Sequence, residues 1–142
     1  MLRQLYIILF ILVLLSCKQD SMDLASANLI SIAGTWRLTE VEKGSYGQKF
    51  WEAAVSASRP DLVFREDGYI VDKDGLPICC GPNALLINQQ LFKIEPNKSM
   101  TANPVCALVN CAPCPEWEIT YQGGTELIIL YCDGAREKYI RL

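Results

Sequence analysis

The 142-residue sequence contains no histidine. That absence removes Ser-His-Asp and Cys-His catalysis and every His-based metal site at once. Charge is sparse as well, at 20 % of residues, with 13 Lys and Arg against 16 Asp and Glu and a net charge of −3. Without a Lys/Arg block the chain has no electrostatic footprint for nucleic acid, and none is expected as a partner. Long apolar runs are scarce too. The longest, residues 5–15, would span about 16 Å as a helix, roughly half the hydrocarbon core of a bilayer. It is too short for a permanent span.

What is present at that point is a short cationic start at Arg3, the apolar run, and then Ser16-Cys17-Lys18. This is the layout of an export signal, to be set aside before the fold is considered. Leu14-Leu15-Ser16-Cys17 resembles the bacterial lipobox, in which the peptide is cut before a cysteine whose thiol carries diacylglycerol. The resemblance implies a signal peptide over residues 1–16, a lipid anchor on Cys17 and a membrane as the partner of that anchor. One acyl chain binds a bilayer only marginally, whereas diacylation plus N-acylation tethers stably. Lys18 replaces the Asp that, in such lipoproteins, follows the cysteine for inner-membrane retention, so the outer membrane is expected. Arg3 is the one charged residue before Cys17, which leaves 12 cations against 16 anions in the exported chain.

Residues 17–31 read as the lipidated start and a tether, helical near its end. Residues 32–142 read as one domain, long enough for its own core. Within 32–43, Ile32, Gly34, Trp36 and Leu38 alternate with Thr35, Arg37 and Thr39, the period of a half-buried strand. Phe50, Ala53, Ala54 and Ala57 recur at helical spacing, so one short helix is expected after that strand. Residues 61–73 read as strand, Asp67-Gly68 turn and strand. Residues 84–95 read as one apolar strand, Pro96-Asn97 as a turn and 99–102 as a short strand. Residues 116–122 alternate, Gly123-Gly124 turns the chain into 125–132, and Asp133-Gly134 turns it into 135–142. Two-residue turns would pair Trp117 with Leu130, Ile119 with Ile128 and Ile128 with Tyr139.

About eight sequential strands predict an all-β, antiparallel up-and-down meander that removes its edges by closing into a barrel. Gly34-Thr35-Trp36 on the first strand, with Arg141 near the carboxy terminus, resembles the lipocalin superfamily. There a Gly-x-Trp packs beneath an arginine of the last strand, which implies barrel closure by Gly34, Trp36 and Arg141. The strand around Gly34 also resembles that of META-type domains, but their later Gly-Cys-Asn signature is absent. Leu38, Trp117, Ile119, Ile128, Leu130 and Tyr139 are the expected lining of a ligand cavity. The expected function is binding of a small apolar ligand, with no catalysis, no cofactor and no metal. The alternative is a filled barrel that meets a protein partner through residues 76–84 and 103–115.

Six cysteines follow Cys17: Cys79, Cys80, Cys106, Cys111, Cys114 and Cys132. In an exported chain they read as three disulfides. The Gly123-Gly124 hairpin brings Cys114 close to Cys132, leaving Cys79 and Cys80 for Cys106 and Cys111. Cys111-Ala-Pro-Cys114 resembles the Cys-Gly-Pro-Cys of thioredoxin-like oxidoreductases, but no βαβ pattern surrounds it. A zinc site of Cys106, Cys111 and Cys114 is a further alternative. Asp72-Lys73-Asp74-Gly75 lacks the later ligands of a calcium loop and reads as a turn. Glu116 and Glu118 flank Trp117 on a strand and read as solvent-facing.

Overall fold

A computed structural model of the chain describes residues 21–45, 47–55, 59–95 and 100–142. The signal segment, the lipobox and Cys17 lie outside the described residues, as does the Pro96-Asn97 turn. The described chain begins with one helix, α1 (Ser21–Ile32). Leu29 and Ile32, three residues apart on one helical face, are both buried completely in the core. The supposed tether is therefore partly a core element.

Nine short strands follow: β1 (Gly34–Lys43), β2 (Phe50–Ala53), β3 (Leu62–Phe64), β4 (Ile70–Val71), β5 (Ala84–Ile87), β6 (Gln90–Lys93), β7 (Glu116–Thr120), β8 (Glu126–Leu130) and β9 (Arg136–Arg141). They form a single curled sheet in the order β4-β3-β1-β9-β8-β7-β5-β6, with β2 added to the far half of β1. The expected closed antiparallel meander is not what forms. β5 runs parallel to β7, with Leu85 beside Trp117 and Ile87 beside Ile119. A parallel pair requires a crossover between its strands, here the chain from β6 through the cysteine loops. β4 and β6 are left as the edges of an open half-barrel.

The first and last strands do pair, but in the middle of the open sheet rather than as the closure of a barrel by Gly34, Trp36 and Arg141. Trp36 pairs with Arg141 across β1 and β9. The Arg141 guanidinium sits 4.5 Å from the centre of the Trp36 ring. It also donates to the carbonyls of Ala33 (2.7 Å) and Ser31 (2.6 Å), while Trp36 Nε1 donates to Ile32 at 2.8 Å. A helix end leaves its last carbonyls without intrahelical partners, and here two strand side chains satisfy them. Gly34 belongs to the same device. Its φ is +133°, and a Cβ there would lie 3.1 Å from an Arg141 nitrogen.

Three other expectations change. The helix expected after β1 is the strand β2, hydrogen-bonded to β1 from Glu40↔Ala53 to Lys43↔Phe50. Its helical spacing does not make a buried face: Phe50 and Ala53 are exposed, Ala54 packs against the core from just past the strand, and Ala57 lies outside the described residues. Trp51 instead packs beneath Lys138 (4.7 Å) and Arg136 (5.6 Å) of β9. The single strand expected over 84–95 is the β5–β6 hairpin, turned by Asn88 (φ +48°) and Gln89 (φ +68°). Two positive φ values are the type I′ geometry that matches strand twist. The Asn88 side chain holds the turn by bonding both the N–H and the carbonyl of Tyr121. Residues 100–102 form no strand, and a short 3₁₀ turn follows at Pro104–Leu108.

The registers of the last hairpins also differ by one residue. Observed pairs are Glu118↔Leu130 and Ile119↔Ile129, then Leu127↔Tyr139 and Ile129↔Glu137. The turn after β8 has three residues, Cys132-Asp133-Gly134, closed by Tyr131 N–H to Ala135 at 2.9 Å with Gly134 at φ +81°. Since side chains alternate faces, one added residue exchanges the faces of a strand. Leu127 and Ile129 are therefore inside, and Ile128 and Leu130 are not. The two slips cancel at β9, returning Tyr139 to the face of Trp117.

Candidate functional site

The concave face of the sheet ends, beside the cysteine loops, in a cavity of about 580 Å³. β7 contributes Trp117, β3 contributes Leu62, β9 contributes Glu137 and Tyr139, and Tyr131 follows β8 directly. The opposite wall comes from residues 78–80 and 112–114. Three disulfides fix that wall: Cys79–Cys106, Cys80–Cys111 and Cys114–Cys132. Asn103 adds a cross-brace, donating from Nδ2 to the Pro77 carbonyl (3.1 Å) and accepting from Val105 N–H.

These bridges agree with the expected pairing. Cys111 and Cys114 each join a different strand or loop rather than one another, so their Cys-Ala-Pro-Cys spacing does not make a redox pair. The zinc alternative loses its ligands for the same reason, since Cys106, Cys111 and Cys114 are all bridged. Asp72 shapes a turn by accepting from Asp74 and Leu76 N–H through Oδ1.

Most of the lining is apolar, and its buried polar groups meet at Glu137 and Tyr139 of β9. Glu137 is the one charged residue buried as a whole among the described residues, at 4 % exposure. Tyr139 donates to Glu137 Oε2 at 2.7 Å, and the Tyr131 and Tyr139 hydroxyls are 2.9 Å apart. Because the Tyr139 proton goes to the carboxylate, Tyr131 donates to Tyr139. Arg59 pairs with Glu137 Oε1 from the mouth, its own side chain 56 % exposed. Burial pushes both phenols well above their ordinary value of 10, because a phenolate would lose its hydration there. Trp117 stacks edge-on with Tyr131 at 4.8 Å. Its Nε1 is buried without a hydrogen-bond partner among the described residues, an uncommon state for a buried donor.

Of the residues expected to line a cavity, Trp117 and Tyr139 do. Leu38 and Ile119 are buried in the core cluster instead. Ile128 and Leu130 face the other side of the sheet, because of the register difference. Arg59 and Pro60, just ahead of β3, complete the lining. Sequence reasoning missed Glu137, Tyr131 and Arg59. Glu137 had a signal: it stands two residues before Tyr139, and residues i and i+2 of a strand share a face. Arg59 had none, since its partner is 78 positions away in the chain.

No protein-family model, no curated protein and no solved structure matches the chain.

Proposed function

We propose that this is a lipid-anchored protein of the cell envelope, held on Cys17, whose domain binds a small and largely apolar ligand without catalysis. The observation that carries the binding reading is the cavity of about 580 Å³, within the range of about 300–1,000 Å³ that small-molecule sites occupy. Its apolar walls surround few polar groups, which is the usual composition of such sites. The Gly34–Trp36–Arg141 junction supports the lipocalin-like part of the reading, in a sheet that curls without closing. The lipobox supports the anchor, and Lys18 after Cys17 supports the outer membrane.

Native mass spectrometry of the mature protein, paired with solvent extraction, tests the binding reading. A stoichiometric small molecule released on extraction supports it. An empty protein that also takes up no apolar compound overturns it. The anchor is read separately: Cys17→Ala should release the protein from membranes and remove the acyl mass.

One observation favours a second reading, an interaction module acting through its loops. Val105, Leu108 and Val109 are exposed, Leu108 at 89 %. Residues 100–115 contain no charged side chain, and disulfides hold this apolar segment in place. A Leu108→Asp variant that loses a co-purifying protein partner while keeping the cavity ligand would support that role.

A further inference from the structure

The charges around the cavity are of unequal sign. Among the described residues, Asp72, Asp133 and Glu137 line it against one cation, Arg59. They are not equally placed. The Glu137 side chain is fixed and 5 % exposed, whereas Arg59 reaches it from a side chain that is 56 % exposed. A buried carboxylate needs a cation or a proton donor beside it, because desolvating an isolated charge is costly. Tyr139 supplies one donor and Arg59 supplies the cation. The rings of Trp117, Tyr131 and Tyr139 line the same cavity, and aromatic faces attract cations.

We infer that the ligand is an amine: a cationic nitrogen on an apolar body, with the nitrogen at Glu137 in the place that Arg59 holds in the free protein and the body against Leu62, Ile78 and the aromatic rings. The inference rests on the binding reading and adds the charge of the ligand to it. Arg59 then acts as an internal competitor. It keeps Glu137 paired while the cavity is empty and swings outward when an ammonium enters. An anionic ligand recognised by Arg59 would meet three carboxylates in the same cavity.

Three probes of equal chain length separate the possibilities: decylamine, 1-decanol and decanoate, titrated calorimetrically into the disulfide-intact protein at neutral pH. Decylamine should bind at least about tenfold more tightly than decanol, the equivalent of about 1.4 kcal/mol, and decanoate more weakly than either. Arg59→Gln should strengthen amine binding several-fold, because the competitor is gone. Glu137→Gln should abolish the preference for amine while decanol still binds, which also reports that the variant is folded. Equal binding of amine and alcohol, or weaker amine binding by Arg59→Gln, overturns the inference and leaves an apolar site standing. Failure of all three probes to bind removes the binding reading along with it.

Discussion

Arg141 joins three parts of the molecule through one planar group. Its stacking on Trp36 and its bonds to the Ser31 and Ala33 carbonyls link β9, β1 and the end of α1. Arg141→Ala should lower unfolding free energy in urea by about 3 kcal/mol, combining a cation–π contact with charge-assisted hydrogen bonds. Arg141→Lys should recover less than half, because an ammonium lacks the fork that spans two carbonyls. Equal recovery by lysine would mean that charge alone matters there. Tyr131 and Tyr139 give a second test at this scale. Their folded-state pKa values lie above the unfolded value of about 10, so unfolded chain loses protons first as pH rises. Their contribution is complete below about pH 10 and declines above it. Ultraviolet titration should therefore show two tyrosines ionising only as the protein unfolds.

At the scale of elements, turns decide which residues face inward. The Asp67-Gly68 turn joins β3 to β4 and packs against β6, so that a Cβ on Gly68 would lie 2.4 Å from Phe92. Gly68 also has φ +86°, close to the +81° of Gly134, which faces open space. Gly134→Ala should therefore cost about 1 kcal/mol, from backbone conformation alone. Gly68→Ala should cost about 2 kcal/mol more, by overpacking against Phe92. Comparable urea midpoints for the two variants would mean that the β4 and β6 edges are not held together by this contact. The strands β1, β3, β4, β7, β8 and β9 were legible in the sequence, because alternation and Gly turns are local signals. Face assignment on β8 was not. A Gly-containing turn announces a hairpin without fixing whether two or three residues form it, and that one residue exchanges Ile128 for Ile129 in the core. Nor was β2 legible. Its helical spacing was local, whereas its pairing with β1 and the stacking of Trp51 under Lys138 were not.

For the molecule as a whole, disulfides and ion pairs set its working conditions. Cys114–Cys132 spans 18 positions, and a loop of that size contributes about 3 kcal/mol by restricting the unfolded chain. Replacing both cysteines by Ser should lower stability by about that amount and weaken ligand uptake, since both line the cavity. An unchanged binding curve would place the ligand elsewhere. Acid acts on the carboxylates. Arg37 lowers Asp61, Arg65 lowers Asp67 and Lys49 lowers Glu42, each mainly through a direct side-chain hydrogen bond. Folded values below unfolded ones give stability that is present above the ordinary carboxylate range and lost as pH falls through and below it. Melting temperature should thus hold steady near neutrality and drop below about pH 4. Asp61→Asn should make that drop shallower.

The sequence by itself determined a strand-rich domain, three disulfides and the meeting of Trp36 with Arg141. The first two follow from residue types, turn signals and cysteine positions, and the third was implied by the lipocalin resemblance of Gly34-Thr35-Trp36 and Arg141. Tertiary structure alone decided that the sheet stays open, that β5 joins β7 in parallel and that α1 packs Leu29 and Ile32 into the core. It also decided that Glu137 and Arg59 meet in the cavity. Those outcomes depend on which distant surfaces bury each other best, and a burial free energy summed over the whole chain leaves no mark on any single stretch of it.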